Sequence, residues 1–179
     1  MIRAFLGLDL PGEIRSALAV QQFFLPLPRR VEPELMHLTL VFLGEVAEPA
    51  LEAAHEAFAA LKIAPFPLSL QGLGLFGGTR PKVAWAGVAP SDPLMRLQAK
   101  AEQAARGAGL APEHRRFAPH VTLGRFPPPA FTQAAALERA VATTPFAAGP
   151  WQVQDMVLWQ SHLSPKGARY EPLARYPFS

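Results

Sequence analysis

The sequence predicts an α+β fold in which two similar lobes form one domain. Half of the 179 residues are apolar and 17% are charged, so each lobe can bury a core. The order strand, helix, strand, helix, strand is predicted twice, and a histidine–x–threonine–leucine phrase recurs at matching places, at His37 and His120. We therefore expect a duplicated domain with pseudo-twofold symmetry. Its expected bounds are 1–179 for the whole, 1–78 and 79–160 for the approximate repeat units, and 161–179 for a C-terminal segment.

The first unit alternates strand and helix patterns between turn residues. Pro11 near a helix start and Glu13 in its first turn favour the first helix, and Gly44 closes the strand that carries His37. An Ala-rich stretch indicates the second helix, and alternating apolar residues before Gly77 indicate a last strand and a turn. The predicted elements are a strand over 2–10, a helix over 13–24, a strand over 37–43, a helix over 49–61 and a strand over 66–76.

The second unit repeats this order. Ser91 is a capping residue just before Pro93 at a helix start, and Gly107 ends that helix. The predicted elements are a strand over 82–88, a helix over 92–106, a strand over 120–126, a helix over 131–142 and a strand over 151–159. The C-terminal segment is expected to be partly paired, without a defined place.

Composition excludes several classes of site. The chain has no cysteine, which excludes disulfides, thiolate nucleophiles and thiolate metal sites. It has neither a signal-peptide pattern nor an apolar run of the ~20 residues that a membrane span needs. We therefore expect a cytoplasmic protein with no membrane contact. A net charge of +3 that comes mainly from arginine fits a phosphate-bearing ligand, because guanidinium groups match phosphate oxygens in pairs.

The repeated phrases offer two pairs of polar side chains. On a strand, residues i and i+2 point to the same face, so His37 lies beside Thr39, and His120 beside Thr122. The apolar residues between them face the other side and anchor each strand. Two such strands brought together form a polar site with two imidazoles and two hydroxyls.

This set of groups suits acid–base chemistry on a phosphate ester. One histidine can take a proton from the attacking oxygen and the other can give a proton to the leaving oxygen, because the ordinary histidine pKa lies near neutral pH. Threonine hydroxyls can donate to the non-bridging oxygens, where negative charge accumulates. The chemistry needs no cofactor.

Other interpretations of these residues have less support. A lone His-x-Thr pair is usually only a half-buried strand, but two copies at matching points of a repeat are harder to dismiss. A zinc site would need a third ligand from Asp9, Glu45 or His114, and none lies at a characteristic spacing. The glycine-rich stretch 72–78 lacks the lysine of a phosphate-binding loop.

Basic and aromatic side chains lie near the motif strands in the sequence. We expect the arginines as a group to contact phosphate, and most of the aromatic rings to pack in the core although each has a face on which a base can stack. The basic residues are Arg29, Arg30, Arg80, Lys82, Arg115, Arg116 and Arg125. The aromatic residues are Phe42, Phe76, Trp85 and Phe117.

Stretches beyond the two phrases carry a resemblance to a known family. They are Arg-Ala-Phe-Leu-Gly at 3–7, His-Leu-Thr-Leu-Val-Phe-Leu-Gly at 37–44, Phe-Ala-Pro-His-Val-Thr-Leu-Gly-Arg at 117–125, and Tyr170. They resemble the two-histidine (2H) phosphoesterase superfamily. Within it they look like the bacterial and archaeal RNA 2′,3′-cyclic phosphodiesterases, a branch first named for 2′-5′ RNA ligase activity. The resemblance covers nearly the whole chain.

The resemblance implies two pseudo-symmetric lobes, each an antiparallel sheet with helices on the outside, around a central cleft. It also implies metal-independent hydrolysis of RNA 2′,3′-cyclic phosphate ends to 2′-phosphomonoesters, with the reverse 2′-5′ ligation as a side activity. By position, His120 would be the proton acceptor and His37 the proton donor. Thr39 and Thr122 would hold the phosphate oxygens.

The expected partner is an RNA that ends in a 2′,3′-cyclic phosphate, bound by a monomer without metal or other cofactor. Arg125 matches a basic position of the family after the second motif, and Arg30, Arg116 and Tyr170 are further candidates for substrate contact. Two alternatives stay open. One is a phosphodiesterase for small cyclic nucleotides or 2′-5′ oligonucleotides, and the other is a module that binds RNA ends without catalysis.

Overall fold

A computed structural model describes residues 1–77, 81–126 and 134–179. The predicted α+β class is confirmed: the described residues form four helices, one short 3-10 turn and an antiparallel sheet. The helices are α1 (Gly12–Phe24), α2 (Glu48–Ala59), α3 (Asp92–Gly107) and α4 (Ala134–Thr143), and the 3-10 turn is Pro33–Leu35. The strands are β1 (Ile2–Leu8), β2 (Arg29–Arg30), β3 (Leu38–Val46), β4 (Phe66–Phe76), β5 (Val83–Val88), β6 (His120–Arg125), β7 (Ala147–Val153), β8 (Asp155–Ser164) and β9 (Gly167–Pro177).

The helices cover one face of the sheet. Leu18, Phe58 and Leu97 from α1, α2 and α3 lie in the same buried cluster as Leu38 and Val121 from the motif strands. Apolar side chains at helical spacing therefore bury their stripe against the inward positions of the strands. The opposite face of the sheet carries polar groups together with a second, smaller buried cluster of Phe5, Val157 and Trp159.

The sheet has the order β7-β4-β5-β6-β3-β1-β8-β9, and β2 pairs separately with β6. Its two halves meet where β3 pairs with β6, at the single register pair Leu38–Val121. The third strand of each predicted unit crosses to the other half, because β4 pairs with β5 and β8 pairs with β1. The repeat units 1–78 and 79–160 are thus interleaved in the sheet.

The short strand β2 continues the edge of β6 beyond the point where β3 leaves it. Arg29 and Arg30 pair with Arg125 and Gly124. Gly124 is required for this approach, because a Cβ atom there would lie 2.9 Å from the Arg29 carbonyl oxygen. The buried side chain of Gln22 then ties α1 to this edge by donating to the carbonyl oxygens of Val31 and Leu123, at 2.7 and 2.8 Å.

Several element bounds differ from the sequence prediction. The strand expected over 151–159 is two strands, β7 and β8, which are separated at Gln154. The C-terminal segment forms the β8–β9 hairpin, which the sequence alone did not place. Arg80, Gly78 and the first residues of the helix predicted over 131–142 lie outside the described residues. No helix in the described ranges combines the length and the apolar character needed to cross a bilayer.

Candidate functional site

The pair Leu38–Val121 brings the two motifs together. Both side chains are 0% exposed and point into the core. Since side chains alternate along a strand, the flanking residues of both motifs point to the other side of the sheet. We call this side the motif face. The motif residues on it are His37, Thr39, His120 and Thr122, and all four are half-buried.

The two imidazoles are held by the same backbone interaction. His37 Nδ1 lies 2.8 Å from the carbonyl oxygen of Leu35, and His120 Nδ1 lies 2.7 Å from that of Ala118, in each case two residues earlier. A carbonyl oxygen only accepts, so each Nδ1 carries a proton. In the neutral ring Nε2 is then a free acceptor, and in the charged ring it is a donor.

Three aromatic rings surround His37. The ring centroid of Phe5 lies 4.7 Å from that of His37, Tyr170 meets the imidazole edge-on at 5.2 Å, and Trp159 lies at 5.7 Å. The Nε2 atom is 3.0 Å from the hydroxyl oxygen of Thr39, which donates to it when the ring is neutral. These contacts leave the imidazole few ways to turn.

This environment favours neutral His37. Burial, together with the positive charges of Arg15, Arg125 and His120, lowers its pKa from 6.5 to about 4, against the raising effect of the hydrogen bond to Leu35. His120 and Arg125 are thus near enough to His37 for their charges to act on its pKa. Burial likewise raises the pKa of the Tyr170 phenol.

His120 packs against a second, smaller aromatic group. Phe76 meets the imidazole edge-on at 4.9 Å, and Trp85 lies at 6.4 Å. The Trp85 ring occupies the space beside Gly74, where a Cβ atom would come within 2.0 Å of it. Both imidazoles therefore pack against aromatic rings from other strands of the sheet, which we call the aromatic supports.

Each motif strand has a bulge directly after its threonine. In β3, Thr39 pairs with Gly7 and Val41 with Leu6, which leaves Leu40 extra. In β6, Thr122 pairs with Trp85 and Gly124 with Ala84, which leaves Leu123 extra. A bulge shifts the alternation of side chains by one residue, so it changes which later residues reach the motif face.

The predicted substrate-binding residues lie at different distances from the histidines. Arg125 is exposed, pairs across the strands with Arg29, and is close enough to His37 to lower its pKa. Arg30 pairs with Gly124, and alternation along β2 turns it away from the face of Arg29. Arg116 is exposed in the segment before β6. Tyr170 contacts the His37 ring, as described above.

A cavity of about 200 Å³ adjoins His37 on the side away from β6. It combines aromatic walls with charged groups at its rim. Its lining residues are Asp9, Arg15, Glu34, Leu35, Met36, His37, Trp159, Tyr170, Pro172 and Arg175. The charged lining residues include both carboxylates and guanidinium groups, so the cavity offers hydrogen-bond acceptors as well as donors.

The alternative metal site gains no support from the geometry. Asp9 makes ion pairs with Arg15 and Arg175, which occupy both of its oxygens. Among the described residues, no three side chains of the types that bind metal ions lie together. The third ligand that a zinc site needs therefore has no candidate in this part of the chain.

Sequence reasoning missed three neighbours of His37. Phe5 and Trp159 lie on predicted strands, but the prediction of a strand does not show which strands become its neighbours. Arg15 lies on α1 and lines the same cavity as His37, and its distance from the motif along the chain hides this proximity. Arg29 was grouped with other basic residues, and only the register with Arg125 distinguishes it from Arg30.

Comparisons with known proteins find a family and several relatives. A family model described as the 2′-5′ RNA ligase superfamily matches residues 11–165. The chain is 32% identical over 180 residues to the RNA 2′,3′-cyclic phosphodiesterase of Geobacillus stearothermophilus, covering 97% of this chain and 56% of that protein. It is 32% identical over 178 residues to the protein of the same name from Archaeoglobus fulgidus, covering 96% and 98%.

Solved structures share the fold. The apo crystal structure of Escherichia coli LigT has a TM-score of 0.82 and 29% identity, and the match covers 99% of this chain and 98% of that chain. The crystal structure of LigT complexed with 3′-AMP has a TM-score of 0.79 at the same identity and coverage.

Proposed function

Since the chain belongs to the 2′-5′ RNA ligase superfamily of two-histidine phosphoesterases, we propose that it hydrolyses 2′,3′-cyclic phosphate ends of RNA to 2′-phosphomonoesters. The activity for which its relatives are named and the acid–base groups of the motif face support the same reaction. The expected RNA substrate, cytoplasmic location and monomeric state form part of this proposal.

One observation carries the proposal. His37 directly precedes β3 and His120 begins the adjoining strand β6, and each donates its Nδ1 proton to a backbone carbonyl two residues earlier. Both Nε2 atoms are therefore left for proton transfer. Two imidazoles held in the same way on one face provide the acid and the base of an in-line displacement at phosphorus.

In the proposed reaction His120 Nε2 takes a proton from water as the water oxygen attacks phosphorus. The bond between phosphorus and O3′ breaks, and His37 gives its Nε2 proton to O3′. The product is a 2′-phosphomonoester with a free 3′-hydroxyl. Hydroxyls of Thr39 and Thr122 donate to the non-bridging oxygens, where charge increases in the transition state.

The charge of the substrate matters for the proton on His37. Burial and nearby cations keep the pKa of His37 at about 4, so the ring is neutral at pH 7. A cyclic phosphate carries a negative charge, and an anion next to an imidazole raises its pKa. Binding of the phosphate therefore loads His37 with the proton that it later gives to O3′, and displaces the Thr39 hydroxyl from Nε2.

Cationic residues hold the substrate in this proposal. Arg125 and its cross-strand neighbour Arg29 offer two guanidinium groups next to the motif face. Like charges directly opposite each other on a sheet are unfavourable until an anion lies between them. The roles of Arg30, Arg116 and Tyr170 in substrate contact stay predictions.

The test is an assay with an RNA oligonucleotide that ends in a 2′,3′-cyclic phosphate, in the presence of EDTA. We expect conversion to the 2′-phosphate, with His37→Ala and His120→Ala each lowering kcat by about 10²–10⁴, the usual worth of a proton-transfer group. His114→Ala, an exposed histidine outside the site, is the matched control. Tight binding without turnover would instead support an RNA-end-binding module, and activity lost in EDTA and restored by zinc would support a metal site.

The same geometry permits 2′-5′ ligation. If a 5′-hydroxyl replaces water, His120 takes the proton of that hydroxyl as its oxygen attacks phosphorus, the bond to O3′ breaks and His37 protonates O3′, which leaves a 2′-5′ bond between two RNA ends. Hydrolysis prevails for a free end in water, so ligation is a side activity in this proposal. Small cyclic nucleotides and 2′-5′ oligonucleotides present the same phosphorus to the histidines, and parallel kcat/KM measurements rank them against RNA.

A further inference from the structure

A network of four charged side chains lies at the cavity that adjoins His37. Asp9 is its centre: one carboxylate oxygen pairs with Arg15 and the other with Arg175, at 3.5 Å. Arg175 also donates to Asp155 at 3.0 Å. The network joins the end of β1, helix α1 and the β8–β9 hairpin.

Arg15 uses its whole guanidinium group in this network. Its Nε donates to the carbonyl oxygen of Leu10 at 3.1 Å, one terminal nitrogen donates to the carbonyl oxygen of Pro33, and the other pairs with Asp9. Such a fork fixes direction as well as distance, which a lysine ammonium does not. Arg15 is mostly buried, so the contacts are partly shielded from water.

The contact with Pro33 reaches His37 within one turn of the chain. Pro33 begins the 3-10 turn that ends at Leu35, and the Leu35 carbonyl oxygen accepts the Nδ1 proton of His37. At its other end, the network holds the hairpin whose Trp159 and Tyr170 pack on the imidazole. The acceptor of the Nδ1 proton and the aromatic wall are both tied to Asp9.

His120 lacks an equivalent arrangement. Its Nδ1 also donates to a carbonyl, at Ala118, but no arginine donates to the segment 116–119 within the described ranges. Both histidines thus donate from Nδ1 to a backbone carbonyl oxygen, but in the part of the chain that the structure describes only the backbone segment near His37 is held by an arginine side chain. The bond from Nδ1 to a carbonyl oxygen is therefore common to both motifs, whereas the arginine that holds the neighbouring backbone is specific to His37.

We propose that Arg15, anchored by Asp9, is the positioning residue that fixes His37 in the orientation and tautomer needed for proton transfer. The inference rests on the proposed function of His37, but the orientation and tautomer can be measured without activity. The charged and titratable groups that face His37 are Arg15 from α1, Arg125 and His120 from β6, and Tyr170 from β9, with Asp9, Glu34 and Arg175 around the adjoining cavity.

The test compares Arg15→Gln and Arg15→Lys with the matched control Arg106→Gln. Arg106 on α3 likewise pairs with a carboxylate, Glu102, and donates to a backbone carbonyl, that of Pro112, but far from the motifs. The readouts are nitrogen NMR titration of the labelled histidines, with His37 assigned by His37→Gln, and kcat and KM on a cyclic-ended RNA.

In the unaltered protein we expect His37 as the Nδ1–H tautomer with a low titration midpoint. Arg15→Gln should mix the tautomers, move the His37 midpoint upward and lower kcat about 10- to 100-fold, the effect of a small misplacement, with little change in KM. Arg15→Lys keeps the positive charge but loses the forked geometry of the guanidinium group. The titration midpoint of His37 should therefore stay low, while kcat recovers only in part. Arg106→Gln should change none of these.

Unchanged tautomer, midpoint and kcat in Arg15→Gln would overturn the proposal, as would an equal shift of His120, which would indicate a global change. A shift of His37 in a protein that never turns over cyclic-ended RNA would refute the proposed function and leave the positioning role intact. If Arg15→Gln does not fold, Asp9→Asn keeps an oxygen for Arg15 and weakens the pair. Mixed His37 tautomers in that variant would support the proposal, and a single Nδ1–H tautomer would overturn it.

Discussion

Phe42 and Arg125 occupy equivalent positions of the two motif strands, each five residues after a histidine. Phe42 pairs with Phe5, and Arg125 pairs with Val83 two residues from Trp85, so both lie on the side of the aromatic supports. Without the bulges at Leu40 and Leu123, strict alternation would turn both away. At equivalent positions, β3 therefore presents the aromatic ring of Phe42 and β6 presents the guanidinium group of Arg125.

Phe42 and Arg125 should therefore contribute to RNA binding in different ways, and Phe42 should contribute by stacking. Phe42 is 44% exposed and its ring is covered on one side by the Arg3 guanidinium, 4.7 Å from the ring centroid, which leaves a face for a base. We expect Phe42→Ala to weaken RNA binding by about 1–3 kcal/mol, the worth of one stacked base, and to raise KM accordingly. Phe42→Leu, which keeps the apolar volume without the ring, should show most of the same loss. An unchanged KM in both would exclude stacking at Phe42.

Arg125→Gln should raise KM and also shift the acidic limb of the pH–rate profile to higher pH. Its positive charge lowers the pKa of His37, so its removal raises that pKa. Arg125→Lys keeps the charge and should leave the limb in place. Steady-state kinetics between pH 3.5 and 9 measure both effects, and a limb that stays fixed in Arg125→Gln would contradict the assignment to His37.

The pH profile of kcat/KM should be bell-shaped with an acidic limb near pH 4. One histidine must be charged and the other neutral, and the lower limb of such a pair lies at the lower of the two pKa values, whichever group is the acid. The low value belongs to His37, whose pKa is about 4 because of burial and nearby cations. An acidic limb near pH 6.5 would show that the free enzyme does not hold His37 in this environment.

A substrate with sulfur in place of O3′ should identify the acid. A thiolate leaves more readily than an alkoxide and needs no proton, so loss of the general acid matters less. We expect the cyclic 3′-thio substrate to restore much of the activity of His37→Ala and little of that of His120→Ala. Rescue of His120→Ala alone would reverse the roles of the two histidines.

The stability of the fold should depend on pH through His37. Above pH 6.5 the ring is neutral in both states. As the pH falls towards 4, the unfolded chain binds a proton that the folded protein does not, so stability decreases. The pKa difference between 6.5 and about 4 corresponds to about 3 kcal/mol. Urea unfolding at pH 7 and pH 4.5 should show this loss in the unaltered protein and in His114→Gln, and a smaller one in His37→Gln.

Gly74→Ala should disturb the support of His120. The new Cβ atom would lie 2.0 Å from the Trp85 ring, which must then move. Overpacking of this kind costs about 1–3 kcal/mol, and kcat should fall with it because the ring beside His120 is displaced. Gly12→Ala is the control, since nothing lies within 4 Å of its new atom. Thermal melts and kcat of both variants measure the difference.

The sequence predicts this fold well where local patterns decide it. The helix α1 begins one residue before its predicted start, and β4 matches its prediction over Phe66–Phe76, because apolar spacing and Pro or Gly punctuation act locally. The strand break at Gln154 and the β8–β9 hairpin were missed, since an apolar run does not show where two strands separate.

The site divides in the same way. Strand alternation is enough to place His37 beside Thr39, since it depends only on neighbouring residues. The bulges that bring Phe42 and Arg125 to the motif face depend on the registers of β3 with β1 and of β6 with β5. The contact of Arg15 with Pro33 depends on how α1 packs. Neither leaves a pattern that a single sequence reveals.

The crossing of β4 and β8 between the halves has a consequence for assembly. A fragment that ended at residue 78 would carry β4 without β5, the strand beside which it lies, and would lack β8, the neighbour of β1. Such a fragment could find substitutes only in another copy of itself, by an exchange of strands between molecules. We therefore expect that neither half folds on its own, and that both histidines reach their positions only when the complete chain has folded.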